Sequence, residues 1–242
     1  MLRVVTYDAE RRTTIPLARY GNMPSIAILP SPLDNRQHRP TPREPVPQVP
    51  LMKLIVGLGN PGRQYAGSRH NIGYDVLQLL GRRLAVERWK SQFEADIADG
   101  RIGDERVLLV APTTYMNLSG RAVNSHLGFH KATPADVLVI CDDLNLPSGK
   151  LRLRGSGTAG GQKGLQNIID LLGTTQVARL RIGIGRPPQP IDPTDYVLGR
   201  FSAEEKPAIE AAGVLATDAV EAWVQQGLAA AMNKYNVGGK EG

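Results

Sequence analysis

Hydrophobic and polar residues in positions 53–235 alternate between short apolar runs and longer amphipathic segments. The apolar runs, which have the length and flanking turn residues of strands, are KLIVGL at 53–58, DVLVIC at 136–141, KLRLR at 150–154 and ARLRIGIG at 178–185, with a hairpin over 93–112 that turns at Gly103-Asp104. The segments with helical character are 71–85, 118–130, 160–173 and 202–235, the last in two pieces. This alternation predicts a single three-layer α/β domain, in which helices flank a mixed, mostly parallel sheet.

Residues 1–51 do not follow this pattern. They hold nine of the eighteen prolines and seven arginines but no lysine, and they show no helical or strand periodicity. Such a segment cannot bury enough apolar surface to offset the entropy lost on ordering, so we expect a disordered N-terminal extension over 1–51 and a folded domain over 52–242. Its acidic residues count against a transit peptide, and it lacks the apolar centre of a signal peptide. Met52 opens the first patterned strand and is an alternative start of translation.

Composition narrows the classes of protein to which the chain can belong. No apolar run approaches the roughly 20 residues that span a bilayer, so we expect a protein without a membrane partner. A single cysteine, Cys141, excludes an internal disulfide and fits a reducing compartment, which predicts a cytoplasmic location. The net charge is +6, of which the extension carries +3 (seven arginines against four acidic residues). The remaining charge permits a nucleic-acid partner without requiring one.

The first strand ends in a glycine pattern, Gly57-x-Gly59-x-x-Gly62, that has the spacing of a dinucleotide-binding turn. That turn should open a helix directly and be followed about 20 residues later by an acidic residue at a strand end. Here Pro61 precedes the last glycine and no acidic residue stands at the expected place. The second glycine-rich stretch, GSGTAGGQKGL, has Gly164 where a phosphate loop needs Ser or Thr. The sequence around these glycines therefore argues against dinucleotide binding.

Polar residues follow three of the predicted strands. Asn60 follows the first strand, Asn117 the hairpin and Asp142 the DVLVIC strand. Ligands of parallel α/β sheets bind outside the carboxyl ends of the strands, so these side chains should meet in one crevice. His70, in the loop before the first helix, would supply a base beside the carboxylate, and the two amides could bind a carbonyl and its oxyanion. This pattern favours a hydrolase that activates water, although Asn and Asp after strands are also ordinary turn and cap residues.

Two other arrangements carry less weight. His126 and His130 have the i, i+4 spacing of a metal-binding pair, but no third ligand accompanies them, so we expect both on the surface of a helix. Ser68 stands two residues before His70 but lacks the GxSxG context of a serine nucleophile. Water is therefore the expected nucleophile.

Five segments in this order, GLGNPGRQYAGSRHNIG, PTTYMNLSG, CDDLNLPSGKLRLR, GGQKGLQNII and RLRIGIGRP, closely resemble bacterial-type peptidyl-tRNA hydrolase. The resemblance covers 53–236 and none of 1–51. It implies a catalytic domain over 52–242 that cleaves the ester between a peptide and the terminal ribose of tRNA. It further implies that the enzyme needs no metal or other cofactor, acts as a monomer without an obligate protein partner, and works in the cytoplasm.

The resemblance also assigns roles by position within these segments. His70 resembles the catalytic base, Asp142 the carboxylate that orients it, and Asn60 and Asn117 the amides that position the peptide end, the water and the carbonyl. Tyr65 and Met116 resemble walls of the groove for the peptide or the terminal adenosine.

One segment departs from the family pattern. GGQKG more often reads GGHNG in the family, where the Asn contacts the end of the substrate, whereas Gln162 and Lys163 stand here. Lys163 could bind a phosphate or a backbone carbonyl of the substrate, or could be a solvated lysine at a helix start.

The family's binding of the tRNA acceptor arm implies a basic surface. Lys150, Arg152 and Arg154 alternate along KLRLR and so project from one face of a strand, and Arg181 holds a matching position in RLRIGIG. The alternative is an edge strand that is kept basic to prevent aggregation. A non-catalytic RNA-binding relative is the rival function, and the joint presence of Asn60, His70, Asn117 and Asp142 argues against it.

Overall fold

The computed structural model describes residues 52–236, so the extension predicted over 1–51 lies outside the described part of the chain. Seven strands and six α-helices follow in order within that range. The strands are β1 (Lys53–Gly57), β2 (Lys90–Gln92), β3 (Ala95–Ile102), β4 (Glu105–Pro112), β5 (Val137–Asp143), β6 (Leu151–Arg154) and β7 (Ala178–Gly183). The helices are α1 (Ile72–Arg83), α2 (Ser119–His130), α3 (Lys163–Leu172), α4 (Pro193–Leu198), α5 (Lys206–Gln226) and α6 (Leu228–Tyr235).

The strands form one mixed sheet in the order β2-β3-β4-β1-β5-β7-β6. The four central strands β4, β1, β5 and β7 are parallel, whereas β2 and β3 on one edge and β6 on the other are antiparallel to their neighbours. The predicted hairpin is confirmed as β3–β4, and the predicted basic strand is confirmed as the edge strand β6. The short strand β2 and the helix α4 were not predicted.

Both faces of the sheet are buried, because alternate residues of its central strands point into two separate hydrophobic clusters. Ile55 packs into the cluster that contains apolar residues of α1, α5 and α6, while its neighbours Leu54 and Val56 pack into the cluster that contains those of α2 and α3. Continuous apolar runs such as Leu54–Val56 are typical of parallel strands that are covered on both sides. The predicted three-layer α/β domain is therefore confirmed.

The outer edge of β6 is closed by an amide side chain. Asn236 Oδ1 accepts a hydrogen bond from the backbone N–H of Leu153 at 2.7 Å, and Asn236 Nδ2 donates to the Leu153 carbonyl at 3.0 Å. The side chain thus satisfies a donor and an acceptor that a neighbouring strand would otherwise use.

Helix α1 lies against the backbone of the sheet at two glycines. A Cβ atom on Gly73 would lie 2.4 Å from the backbone nitrogen of Leu58 and 2.5 Å from the carbonyl oxygen of Ile140, and one on Gly57 would lie 2.3 Å from the carbonyl oxygen of Gly73. Real Cβ atoms do not approach that closely, so only glycine allows the first turn of α1 to rest on the ends of β1 and β5.

Gly73→Ala should destabilise the fold, because the new methyl group would meet backbone atoms that cannot move aside. We expect the free energy of unfolding to fall by about 1–3 kcal/mol, as in other overpacked sites. Gly128→Ala in α2 is the matched control, since no atom lies within 4 Å of its Cβ position. There the substitution should be neutral or should stabilise by about 0.5–1 kcal/mol. Urea unfolding measures both values, and equal effects of the two changes would contradict the close contact.

His126 is fully buried, so the expectation that it lies on the helix surface is wrong, and His130 is half-buried. The ring of His126 packs against Phe93 of the turn before β3, its Nε2 lies 3.2 Å from the carbonyl oxygen of Gln92, and its Nδ1 has no partner among the described residues. Burial lowers the pKa of His126, an effect that the Gln92 carbonyl partly opposes and His130 reinforces.

Acidification should therefore cost the native state stability through His126. Its pKa is lower in the folded chain than in the unfolded chain, so below about pH 6.5 the unfolded chain binds a proton that the native chain does not. The free energy of unfolding should thus fall less between pH 7.5 and 5.5 in His126→Gln than in the unsubstituted protein. Urea titrations at both pH values measure this difference. A stability difference between the two proteins that is the same at both pH values would contradict it.

Candidate active site

Three parallel strands end at the same cavity, as the sequence predicts. Asn60 follows β1, Met116 and Asn117 follow β4, and Asp142 is the penultimate residue of β5. All four line a cavity of about 620 Å³ together with His70. Lys163, the first residue of α3, also lines it. The crevice predicted at the carboxyl ends of the strands is therefore present.

His70 and Asp142 form a hydrogen-bonded pair in this cavity. His70 Nδ1 lies 2.8 Å from Asp142 Oδ2, and both side chains are largely buried. An ionised carboxylate can only accept, so this contact places a proton on Nδ1 of the neutral imidazole. The Nε2 atom is then the unprotonated nitrogen and can accept a proton from a bound molecule.

The backbone of Asn60 is held by the side chain of Asn71. The Asn60 N–H donates to Asn71 Oδ1 at 2.8 Å, and Asn71 Nδ2 donates to the Asn60 carbonyl at 3.0 Å. The Asn60 side chain in turn accepts a hydrogen bond from the backbone N–H of Met116 through Oδ1, at 2.8 Å. That bond fixes the orientation of the amide, so the Asn60 Nδ2 group is what remains to donate to a ligand.

Gln162 makes a second set of amide contacts, which the sequence analysis missed. Its Oε1 accepts from the backbone N–H of Leu165 at 2.7 Å and so caps α3, while its Nε2 donates to Asp142 Oδ1 at 3.1 Å and to Met116 Sδ at 3.2 Å. A polar residue just before a helix signals a cap in sequence, but nothing in the local pattern indicates the partner 20 positions away.

One wall of the cavity comes from α4, through Pro193, Thr194, Val197 and Leu198. Arg69 joins this helix to the turn that carries His70.

The guanidinium of Arg69 donates to the carbonyl oxygen of Arg200 at 2.8 Å and to Glu205 Oε2 at 2.7 Å, and it stacks on the ring of Tyr196 at 4.1 Å. Arg69 directly precedes His70, so the same short turn holds the wall and the imidazole.

Tyr65 is half-buried in the turn after β1 and does not line this cavity, so the wall role that the resemblance implied for it is not supported. Tyr115, whose side chain is exposed, lines the cavity instead. Ser68 is buried and lies outside the lining as well. Burial raises the pKa of Cys141 to about 12, an effect that the charge of Asp142 increases, so the thiol is not a nucleophile at neutral pH.

The predicted basic residues lie on neighbouring strands at one sheet edge. Arg152 of β6 pairs in register with Arg181 of β7, Lys150 is exposed, and Arg152 and Arg154 are half-buried. Arg181 is buried, with Nη1 on Asp143 Oδ2 at 2.9 Å and Nη2 on the Thr158 carbonyl at 2.8 Å. Its charge is therefore compensated within the protein.

A second cavity, of about 710 Å³, lies on the other side of Asn60 and is lined by Tyr74, Asp75 and Trp89, among others. It includes neither His70 nor Asp142, so the smaller cavity is the candidate active site. Within 52–236, no three His, Cys, Asp or Glu side chains are grouped so that they could hold a metal ion. No helix in that range is long and apolar enough to cross a membrane.

The chain is similar to several peptidyl-tRNA hydrolases. It is 53% identical to the peptidyl-tRNA hydrolase of Rhodopirellula baltica over 185 residues, which are 76% of this chain and 97% of that protein. It is 50% identical to the peptidyl-tRNA hydrolase of Desulforamulus reducens over 185 residues, 76% of this chain and 89% of that protein. The crystal structure of peptidyl-tRNA hydrolase from Acinetobacter baumannii superimposes with a TM-score of 0.73 at 34% identity, covering 78% of this chain and 96% of that one.

The family model of peptidyl-tRNA hydrolase matches residues 54–241, which include every residue of the candidate active site. The resemblance carried by the five short segments is thus confirmed over residues 54–236 of the described range. On this match and these identities, the chain belongs to the peptidyl-tRNA hydrolase family of enzymes.

Proposed function

We propose that this enzyme hydrolyses the ester bond between a peptide, or an N-blocked amino acid, and the terminal ribose of tRNA, and so returns tRNA to translation. The observation that carries the proposal is the His70–Asp142 pair, with 2.8 Å between Nδ1 and Oδ2, in a cavity that Asn60 and Asn117 also line. A base with an orienting carboxylate and two amides is the set of groups that water-mediated ester hydrolysis needs.

In the proposed reaction, His70 Nε2 removes a proton from water while the water oxygen attacks the ester carbonyl carbon. Asp142 stabilises the imidazolium that forms, because its carboxylate stays bonded to the Nδ1 proton. The tetrahedral intermediate then collapses: the bond between the carbonyl carbon and the ribose oxygen breaks, and the imidazolium returns its proton to that oxygen. The products are a peptide with a free carboxyl group and a tRNA with a free ribose hydroxyl.

The amides would bind the reacting group from the sides of the cavity. Asn60 can offer Nδ2 as a donor, since Met116 N–H occupies its oxygen. We assign Asn117, which is exposed at the rim, to the peptide end or the developing oxyanion. Met116, Tyr115 and Lys163 line the same cavity and would contact the peptide or the terminal adenosine.

We assign the acceptor arm of tRNA to the surface formed by Lys150, Arg152 and Arg154. Phosphate contacts do not read sequence, which suits an enzyme that accepts many tRNAs. Arg181 lies buried on β7, beside Arg152. A phosphate would have to compete with Asp143 for its guanidinium. The Asn236 amide already closes the edge of β6 at Leu153, which weakens the alternative that the strand is basic only to block pairing.

We further propose that the enzyme is a monomer without an obligate protein partner and that it acts in the cytoplasm, where peptidyl-tRNA arises. The rival function, an RNA-binding relative without catalysis, would not need the buried His70–Asp142 pair. It would bind tRNA but release no free tRNA from N-blocked aminoacyl-tRNA, with or without a chelator.

His70→Ala should reduce turnover of N-blocked aminoacyl-tRNA by a factor on the order of 10²–10⁴, because the proton acceptor for water is lost. Asp142→Asn should also reduce turnover, since an amide cannot stabilise the imidazolium. If the two act as a unit, the double variant should be little slower than His70→Ala. His130→Ala, outside the cavity, is the control and should keep normal turnover. Normal turnover in His70→Ala would contradict the proposed mechanism.

The variant Lys150→Gln, Arg152→Gln, Arg154→Gln should bind tRNA more weakly and with a flatter salt dependence. Each lost phosphate contact should reduce the slope of log K against log salt by about 0.7–0.9. The variant Lys90→Gln, Arg101→Gln, Arg106→Gln is the matched control, because it removes one Lys and two Arg from exposed positions at the opposite edge of the sheet. Filter binding over a salt series measures both. If the first variant keeps the wild-type slope of log K against log salt, the tRNA binds to another surface.

A further inference from the structure

The carboxylate of Asp142 receives hydrogen bonds on both of its oxygens. His70 Nδ1 bonds to Oδ2 at 2.8 Å, and Gln162 Nε2 donates to Oδ1 at 3.1 Å. The proposed mechanism uses only the first of these bonds. The second comes from a side chain that is itself buried and lies directly before α3.

The orientation of the Gln162 amide is determined by its other contacts. Its Oε1 accepts the backbone N–H of Leu165 at 2.7 Å, so Nε2 must be the atom that faces Asp142 and Met116. Both hydrogens of Nε2 then have an acceptor, Asp142 Oδ1 and Met116 Sδ. A flipped amide would lose the cap and would place an oxygen against the carboxylate, which is repulsive.

A fixed N–H donor has two effects on the pair. It compensates part of the negative charge that Asp142 presents to the imidazole. It also prevents the carboxylate from rotating about its Cβ–Cγ bond, so Oδ2 stays on His70 Nδ1.

We propose that Gln162 is a positioning residue, which holds the Asp142 carboxylate oriented toward His70 and compensates part of its negative charge. This inference rests on the proposed function of His70 and Asp142. The cap of α3 and the alignment of the base are thus tasks of one side chain, and the donor N–H is the part that serves catalysis.

Two variants separate these tasks. Gln162→Met removes both the cap and the donor at similar size. Gln162→Glu keeps an oxygen that can accept the Leu165 N–H but removes the donor. With less compensation of the Asp142 charge, the acid limb of the kcat/KM profile should move to higher pH in both variants, by about one unit. At neutral pH kcat should fall about tenfold in each, which is typical for the loss of a hydrogen bond to a charged group.

Gln166→Met and Gln166→Glu are the matched controls. Gln166 lies one turn further along α3, is exposed, and bonds to Asp170 instead of Asp142. Both controls should keep the wild-type pH profile and kcat, and Gln166→Glu corrects for the effect of an added negative charge on tRNA binding.

Melting temperatures of the variants show whether only the cap is affected. If Gln162 serves solely as a cap, Gln162→Met should melt earlier, Gln162→Glu should regain stability, and Gln162→Met should leave the acid limb in place. An acid limb that stays in place in Gln162→Met overturns the inference, because that variant removes the donor without adding a charge beside Asp142. That result would leave the proposed function intact, which fails only if His70→Ala retains turnover.

Discussion

The contact between the backbone of α1 and the backbone of the sheet is the constraint on which the active site depends. Gly73 rests on Leu58 and Ile140, whose N–H and carbonyl groups are hydrogen-bonded to each other at 2.9 Å. This contact fixes the first turn of α1 against the end of β5, and His70 lies only three residues before Gly73. The imidazole is therefore within hydrogen-bond distance of Asp142 because two glycines remove the side chains that would separate the helix from the sheet.

Amide side chains hold the rest of the site, and the orientation of each is determined by the protein. Asn71 bonds the backbone of Asn60, Asn60 bonds the backbone of Met116, and Gln162 bonds the backbone of Leu165. Asn71 uses both ends of its amide on the backbone of Asn60, whereas Asn60 and Gln162 each use the oxygen for a structural contact and present the nitrogen toward the cavity or toward Asp142. Donors fixed in this way need little reorganisation during a reaction, which is the origin of electrostatic catalysis in preorganised sites.

Most of the fold and the centre of the site could be predicted from the sequence. Apolar runs and helical periodicity place the strands and helices within a few residues, because local burial imposes these periods. The meeting of Asn60, Asn117 and Asp142 follows from the geometry of parallel strands, which brings successive strand ends to one edge.

The elements that escaped prediction depend on contacts distant in sequence. Helix α4 has only six residues, too few for a periodic signal, and Arg69 fixes the chain that follows it through Arg200 and Glu205. His126 is buried because Phe93 and the carbonyl of Gln92, more than thirty residues earlier, receive its ring. The spacing of His126 and His130 along α2 contains no information about what packs over it. The contact of Gln162 with Asp142 was not predicted either, because the two residues lie 20 positions apart in the sequence.

The amide that closes the β6 edge has a consequence for the order of folding. Asn236 lies 83 positions after Leu153, the residue whose backbone it pairs. During synthesis, β6 can join β7 well before Asn236 has been added, so a growing chain carries an open sheet edge through the making of α4, α5 and α6. Such an edge is where nascent chains on neighbouring ribosomes can pair with each other. This amide therefore closes the edge only when synthesis of the described domain is nearly complete.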